Sequence, residues 1–414
     1  MSLERTARTA LGVWCLAFGA AHVHAQPPVS RLPPASPRVY LITVGQGDQV
    51  WEKFGHNALW FFDDASGIDE AYNWGIFDFK QPHFVQRFLT GDTRYWVESY
   101  PGVALIDFYK SIDRGVVIQR LNLTPEQARK GLAYARWNAR DENKFYRYDY
   151  FRDNCSTRVR DVIDYALGGA LKARTANAPT RVTYKSESVR LVNDLKFMQV
   201  GIYTALGEPA DRRLSMWQDM FIPMRMRDIV RGMRVAGAGG AAVPLVADER
   251  VLYQSKRYHE RADEPRLWIA YLIVGLLIAA EFFAVGRAAS RAPLVEKVFR
   301  IEVLVWALVS GILGLVLLLA WTSTQHVFWF RNENLLLLNP LSLWLAVTLI
   351  LSMRRERFAR QAALLAGVVC AMNVIALLMK AIPAAFPQDN LALILLVLPA
   401  NAAIALSLRA KQPV

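Results

Sequence analysis

The chain has 414 residues, 53% of them hydrophobic, and a formal net charge of +13. Residues 267–414 hold twelve Lys/Arg against six Asp/Glu and residues 1–25 carry one net positive charge, which leaves about +6 for the region between. That surplus suits a surface close to anionic lipid headgroups and is too small to argue for nucleic acid.

At the N-terminus, Arg5 and Arg8 precede an apolar run from Ala10 to Ala21, and "AHVHAQPP" offers a small-residue cleavage site after Ala25. The run is too short to span a bilayer, so residues 1–25 read as a secretory signal peptide. A Pro-rich tether, Pro27 to Pro37, follows. Of the three cysteines, Cys15 lies in the signal and Cys370 in an apolar membrane segment, so Cys155 is the one thiol of the exported domain. An unpaired cysteine in an oxidising compartment is either buried and inert or kept for chemistry.

"RVYLITV" (Arg38 to Val44) has strand composition and runs into "GQGDQ", which is no phosphate-binding loop because neither GxGxxG nor GK[ST] follows. "NALWFF" and "EAYNWGIF" read as two further strands joined by the turn-rich "DDASGID". "LTPEQARKGLAYARWNA" opens a helix with Thr124 as N-cap, Pro125 at the first helical position and Gln127 completing a capping box. Strands and helices alternate without βαβ regularity, which predicts an α+β fold.

The next helix has the clearest pattern in the chain. Val159, Val162, Ile163, Ala166 and Leu167 recur at helical spacing, Gly168 and Gly169 end it, and Asp153 or Asn154 is a suitable N-cap. Cys155 therefore falls in the first turn, where free N–H groups and the helix dipole favour a thiolate and are able to hold an oxyanion. A cysteine nucleophile needs a base, and the exported domain offers His56, His83 and His259. His56 heads an apolar strand, a rigid place from which to serve a helix N-terminus; taken alone, it reads equally as a satisfied core histidine. Asn73 on the neighbouring strand, or Asp78, is placed to orient the imidazole. Around Cys155, Asp153, Asn154 and Arg158 are candidates for substrate contact. Arg158 and Arg160 lie one turn on, where a guanidinium suits a phosphate headgroup, with a solvated helix face as the alternative for Arg160.

Residues 26–265 thus form the catalytic domain and 266–414 a membrane domain, joined by the charged linker Asp248 to Arg266. Five segments are able to span: Leu267–Val285, Val303–Trp321, Leu335–Met353, Ala362–Leu378 and Leu391–Leu408, the last interrupted by Pro399. Arg287, Arg291, Lys297 and Arg300 follow the first span, Arg354, Arg355, Arg357 and Arg360 the third, and Arg409 and Lys411 the last. By the positive-inside rule these loops and the C-terminus are cytoplasmic and the catalytic domain lies outside. Between the second and third spans, His326, Trp329, Arg331, Asn332, Asn334 and Asn339 read as an interfacial belt or a lipid contact.

The fragments "KFGHNALWFF", "YNWGIFDF", "FLTGDTRYWVESY", "LNLTPEQ", "YRYDYFRDNCSTRVRD" and "LGEPADRR…MFIP" occur in this order over most of residues 38–225. Together they resemble the family with an Lnb-type N-terminal periplasmic domain, and the multi-spanning C-terminal half fits it too. That family is grouped with papain-like enzymes of permuted order, histidine strand before cysteine helix, similar to lecithin:retinol acyltransferase. The resemblance implies an α+β permuted papain-like periplasmic domain, then an all-α membrane domain of five helices in a bacterial inner membrane. It implies a lipoprotein N-acyltransferase that moves an acyl chain from membrane phospholipid, through a thioester on Cys155, to the N-terminal amine of a lipoprotein. By motif, His56 and Cys155 match the catalytic pair, with Asn73 a looser third member; no metal or cofactor is expected. Two other readings share the sequence. A periplasmic papain-like peptidase or amidase acting on cell-wall peptide would use the same pair without needing the spans. A non-enzymatic membrane-anchored adaptor explains the spans but not a cysteine at a helix start.

Overall fold

The computed structural model describes residues 36–237, 240–261, 265 and 267–410. The expected signal peptide, the Pro-rich stretch up to residue 35, linker residues 262–264 and 266, and Lys411 lie outside them. The exported region is built on a seven-stranded sheet in which all neighbours are antiparallel. Its strands are β1 (Arg38–Val44), β2 (His56–Asp63), β3 (Ile68–Ile76), β4 (Arg94–Tyr100), β5 (Val116–Leu121), β6 (Phe145–Arg147) and a last one, Val246–Tyr253. In space the order is Val246–Tyr253, β5, β1, β2, β3, β4, β6. The first third of the expected linker is therefore sheet: Asp248 to Tyr253 pairs with β5. Its charges are those of an edge strand, which needs polar residues to discourage further pairing.

Local chemistry explains the central hairpin. Asp63 accepts from Ala65 N–H and from the Ser66 hydroxyl, and Gly67 takes the left-handed conformation that closes the turn between β2 and β3. Side chains then alternate across the sheet. Leu59 and Phe61 face α3 (Pro125–Asn138) and α4 (Cys155–Ala166), meeting Leu132, Val159 and Ile163 in the main core. Ala58 and Trp60 face the other way, towards Leu105, Ile106 and Tyr109 of α2 (Gly102–Ser111). Between β3 and β4 the short α1 (Phe84–Thr90) stands clear of both cores. Both sheet faces are thus buried, and each fully buried Phe or Leu contributes about 1.5–3 kcal/mol by leaving water.

Among the described residues, five helices are long and apolar enough to cross a membrane: Trp268–Ala288, Pro293–Ser323, Glu333–Ser352 (a 3₁₀ turn leading into Leu341–Ser352), Arg357–Met379 and Leu391–Arg409. The second is 31 residues long, so Lys297 and Arg300 lie on the helix rather than in the preceding loop. Pro399 does not interrupt the last helix, which runs through it. The proline denies a partner to the carbonyl four residues back, that of Leu395. There the first span passes at a glycine: a Cβ on Gly275 would lie 2.3 Å from Leu395 O and 2.8 Å from Leu396 O. The freed carbonyl is covered by close helix contact instead of by the helix itself.

In the loop between the second and third spans, the buried amides serve the contact between the two domains. Asn334 Nδ2 donates to Tyr203 O (2.8 Å) and Thr204 O (3.0 Å), and Asn332 Nδ2 to Thr204 O (3.0 Å) and Ala205 O (2.9 Å). These carbonyls end the helix Lys196–Ala205, where the intrahelical ladder runs out. Gln388 ties in by donating to Asn332 Oδ1 and Leu206 O, both at 3.1 Å. The membrane domain thereby caps a helix of the exported domain. Asn339 packs beside Gly314 of the second span, and Arg331 reaches out to Glu208.

Candidate active site

The β2–β3 register sets Leu59 opposite Tyr72, so Ala58 and Asn73 lie side by side on the other face, which His56 shares two residues earlier. His56 Nε2 is hydrogen-bonded to Asn73 Oδ1. An amide oxygen only accepts, so Nε2 carries the proton and Nδ1 is the basic atom of the ring. Asn73 is buried. Asp78, the other candidate for this role, is exposed and accepts from Lys80 N–H at 2.8 Å in a turn. His83 is exposed at the start of α1, and His259 is exposed beyond the last strand.

Cys155 is the first residue of α4, and it keeps a partial opening to solvent. Its thiol meets the backbone N–H groups of Asn57, Ser156 and Cys155 itself. The residue that follows His56 thus turns its backbone N–H towards the sulfur. The Asn57 amide and the Ser156 hydroxyl, 3.0 Å apart, fix the start of β2 to the first turn of α4. From the other side comes the end of β3: a Cβ on Gly75, which has φ +92°, would stand 3.4 Å from Cys155 Cβ.

Electrostatics alter the expected resting state. Burial, followed by the Arg114 charge, holds the His56 imidazolium down to about 4, against the Asn73 hydrogen bond that favours it. Burial likewise pushes the Cys155 thiol up, outweighing the three N–H groups and Arg114. The helix-start position thus does not produce a resting thiolate, because desolvation of the sulfur exceeds the help of the helix end. Both shifts favour the uncharged form of the group concerned.

The Lnb N-terminal periplasmic domain matches residues 27–192, and the Lnb transmembrane domain matches residues 266–412. The chain belongs to the Lnb family. No curated protein and no solved structure matches it. As a family member it is a multi-pass inner-membrane protein with a periplasmic, sheet-containing domain.

Two residues of this Lnb site escape sequence reasoning, Arg114 and Tyr109. Arg114 is buried, donates to Gly45 O through Nε (3.0 Å) and Nη2 (2.9 Å), and lies 3.5 Å from Glu52. Its charge bears on both His56 and Cys155. Tyr109 packs its ring 5.9 Å from that of His56 and 5.3 Å from the Arg114 guanidinium. The signal available for Arg114 is its place just before β5, the strand that pairs with β1 next to β2.

Asn154, Asp153, Arg158 and Arg160 are held by the protein itself. Asn154 is the N-cap: its Oδ1 accepts from Thr157 N–H (2.9 Å), and its Nδ2 donates to Tyr150 O and Phe221 O, both at 3.0 Å. Arg158 grips Asp153 with two hydrogen bonds and stacks 4.1 Å from the Tyr146 ring. Arg160 is no solvated face; it is buried over Trp217 and donates to Trp217 O at 2.9 Å. With its guanidinium already paired, Arg158 offers little to a phosphate. The charge that bears on both Cys155 and His56 is that of Arg114.

Proposed function

We propose that this Lnb protein is a membrane-bound cysteine acyltransferase that moves an acyl chain from phospholipid to the N-terminal amine of bacterial lipoproteins. The reading is carried by the Asn73–His56 hydrogen bond set beside a helix-start cysteine, in a chain whose two halves both match the family. Cys155 Sγ attacks the ester carbonyl while His56 Nδ1 takes its proton. The N–H groups around the sulfur and the Arg114 charge favour the negative charge that develops. The carbon–oxygen bond breaks, the leaving lysophospholipid oxygen takes the proton from His56, and an acyl thioester remains. The incoming amine then attacks the thioester, His56 accepts the amine proton and returns it to the departing sulfur. Asn73 holds the ring in the required tautomer.

In this reading residues 26–265 form the catalytic unit and 266–414 the membrane unit, with the C-terminus cytoplasmic. A reporter active only in the cytoplasm is then expected to work when fused after Val414 and to stay silent when inserted near Pro387.

The deciding test pairs mass spectrometry of lipoprotein N-termini from a null strain with its muropeptide profile. Loss of N-acylated lipoprotein, restored by the wild-type chain and not by Cys155→Ser, is the expected result. Altered muropeptides with intact lipoproteins would mean a peptidase or amidase, and no change in either an adaptor.

A further inference from the structure

An apolar surface that the chemistry above leaves unused lies next to the active site. Trp51 (50%), Phe79 (59%), Val85 (69%), Phe88 (54%) and Leu89 (63%) are large side chains left open to solvent. They come from three separate segments, the 3₁₀ turn Val50–Phe54, the stretch after β3, and α1. Ring contacts join them: Trp51 to Phe79 at 5.7 Å, Phe79 to Phe84 at 5.1 Å and Phe84 to Phe88 at 6.4 Å. A contiguous patch of this kind, with no core behind α1, marks an interaction surface rather than scattered exposure.

Two observations identify its occupant. First, α1 is fastened to the membrane domain at its C-terminal end. Gln325 N–H donates to Thr90 O at 2.8 Å, and His326 Nε2 lies 3.0 Å from Phe88 O. Gln325 and His326 lie two and three residues past Ser323, the end of the second span, which places the patch by the end of that apolar helix. Second, the patch continues inward as a row of rings. Phe77 touches Phe79 at 5.0 Å and Tyr95 at 4.9 Å, and Tyr95 stacks on Tyr148 at 4.1 Å. Two residues before Phe77, Gly75 stands against Cys155: a Cβ added there would lie 3.4 Å from Cys155 Cβ. The row thus runs from the end of the second span to the segment that faces the thiol.

We infer that Trp51, Phe79, Val85, Phe88 and Leu89 form a lip inserted into the bilayer interface, and that the row Phe79–Phe77–Tyr95–Tyr148 guides a phospholipid acyl chain from it to Cys155. Aromatic side chains favour the headgroup boundary, and a mostly apolar wall lets a chain cross without exposure to water. A chain held there keeps its ester end for the thiol. This deepens the acyltransferase reading and rests on it.

The test uses the full chain in phosphatidylethanolamine–phosphatidylglycerol vesicles and reads the acyl adduct on Cys155 by mass spectrometry. The variant carries Val85→Asp, Phe88→Asp and Leu89→Asp, all at exposed positions. Labelling from vesicle phospholipid is expected to fall about tenfold or more, because interfacial binding scales with the apolar area inserted. Labelling by a short-chain, water-soluble ester is expected to persist. Equal labelling from vesicles in variant and wild type overturns the lip while leaving the acyltransferase standing. Absence of any adduct in the wild type from either donor overturns the acyltransferase instead. A second measurement on the wild-type chain guards against a misfolded variant: phospholipid with a photoreactive acyl chain is expected to cross-link to Phe77, Phe79 or α1. Cross-links confined to the spanning helices, or α1 joined to a second copy of the chain, overturn the assignment.

Discussion

His56 Nε2 is engaged by Asn73 Oδ1, which leaves Nδ1 as the only basic atom of the ring. The amide therefore acts through the imidazole. Asn73→Ala is expected to lower the rate of Cys155 acylation on the order of 10²-fold, the scale of a misplaced catalytic group. Asn73→Asp tests the role further, since a carboxylate beside the ring stabilises the imidazolium. The acid limb of its pH–rate profile is expected to move upward by about one pH unit or more. A merely structural Asn73 would change stability and leave that limb in place.

Cys155→Ser and His56→Ala are each expected to abolish acyl transfer while the protein still inserts in the membrane. Because the two residues act as one unit, the double variant should lose little more than either alone. Clearly additive losses in single-turnover assays would argue against the pair.

The pH dependence follows from the two shifted groups. His56 titrates at about 4 and is neutral above that value, so activity is expected to hold across the neutral range and fall as pH drops through about 4. Its value lies below that of a free imidazole, so the loss comes at lower pH than an unperturbed histidine would give. The Cys155 thiol is shifted upward, so less thiolate is present at neutral pH than in a free cysteine. Iodoacetamide modification of Cys155, followed by peptide mass spectrometry, is expected to be slow at neutral pH and to rise only in the alkaline range. Fast modification below pH 7 would mean a resting thiolate–imidazolium pair.

The histidine strand and the cysteine helix were legible because each carries a local signal. β2 and β3 alternate around a turn-forming sequence, and α4 shows its apolar face, its cap and its Gly168–Gly169 end in consecutive residues. What escaped depends on distant chain. Arg114 and Tyr109 join the site only because β5 pairs with β1 and α2 covers the β2 face. Val246–Tyr253 looks like linker because an edge strand is written in the same charged residues as a tether. Asn332 and Asn334 look interfacial because one sequence cannot reveal that the carbonyls awaiting them sit at the end of a helix in the other domain.

Gly75 gives a prediction about access to the thiol. Its φ of +92° disfavours any side chain, and the added methyl of Gly75→Ala would press on Cys155 Cβ at 3.4 Å. The backbone cost is about 1–3 kcal/mol. The functional cost should be larger, because the displaced atom carries the nucleophile. Thermal unfolding is expected to shift slightly while acylation of Cys155 drops steeply. Loss of both in proportion would mean that Gly75 serves the fold alone.

The amide clamp yields the last prediction. Asn332 and Asn334 hold three successive carbonyls at the end of Lys196–Ala205, and both side chains are buried. Removing such a donor leaves buried carbonyls unpaired, at about 1–3 kcal/mol each. The cost falls on the contact between domains rather than on either core, since the sheet and the spanning helices have apolar cores of their own. Asn332→Ala combined with Asn334→Ala should therefore leave the secondary structure content unchanged. Hydrogen exchange is expected to quicken in Lys196–Ala205 and in the loop after the second span, while β1 to β3 stay protected. Because α1 is held to Gln325 and His326 of that same loop, loosening it should also slow acylation of Cys155 from vesicle phospholipid. Unchanged exchange in Lys196–Ala205 would show that the apolar contacts around the loop suffice to hold the domains together.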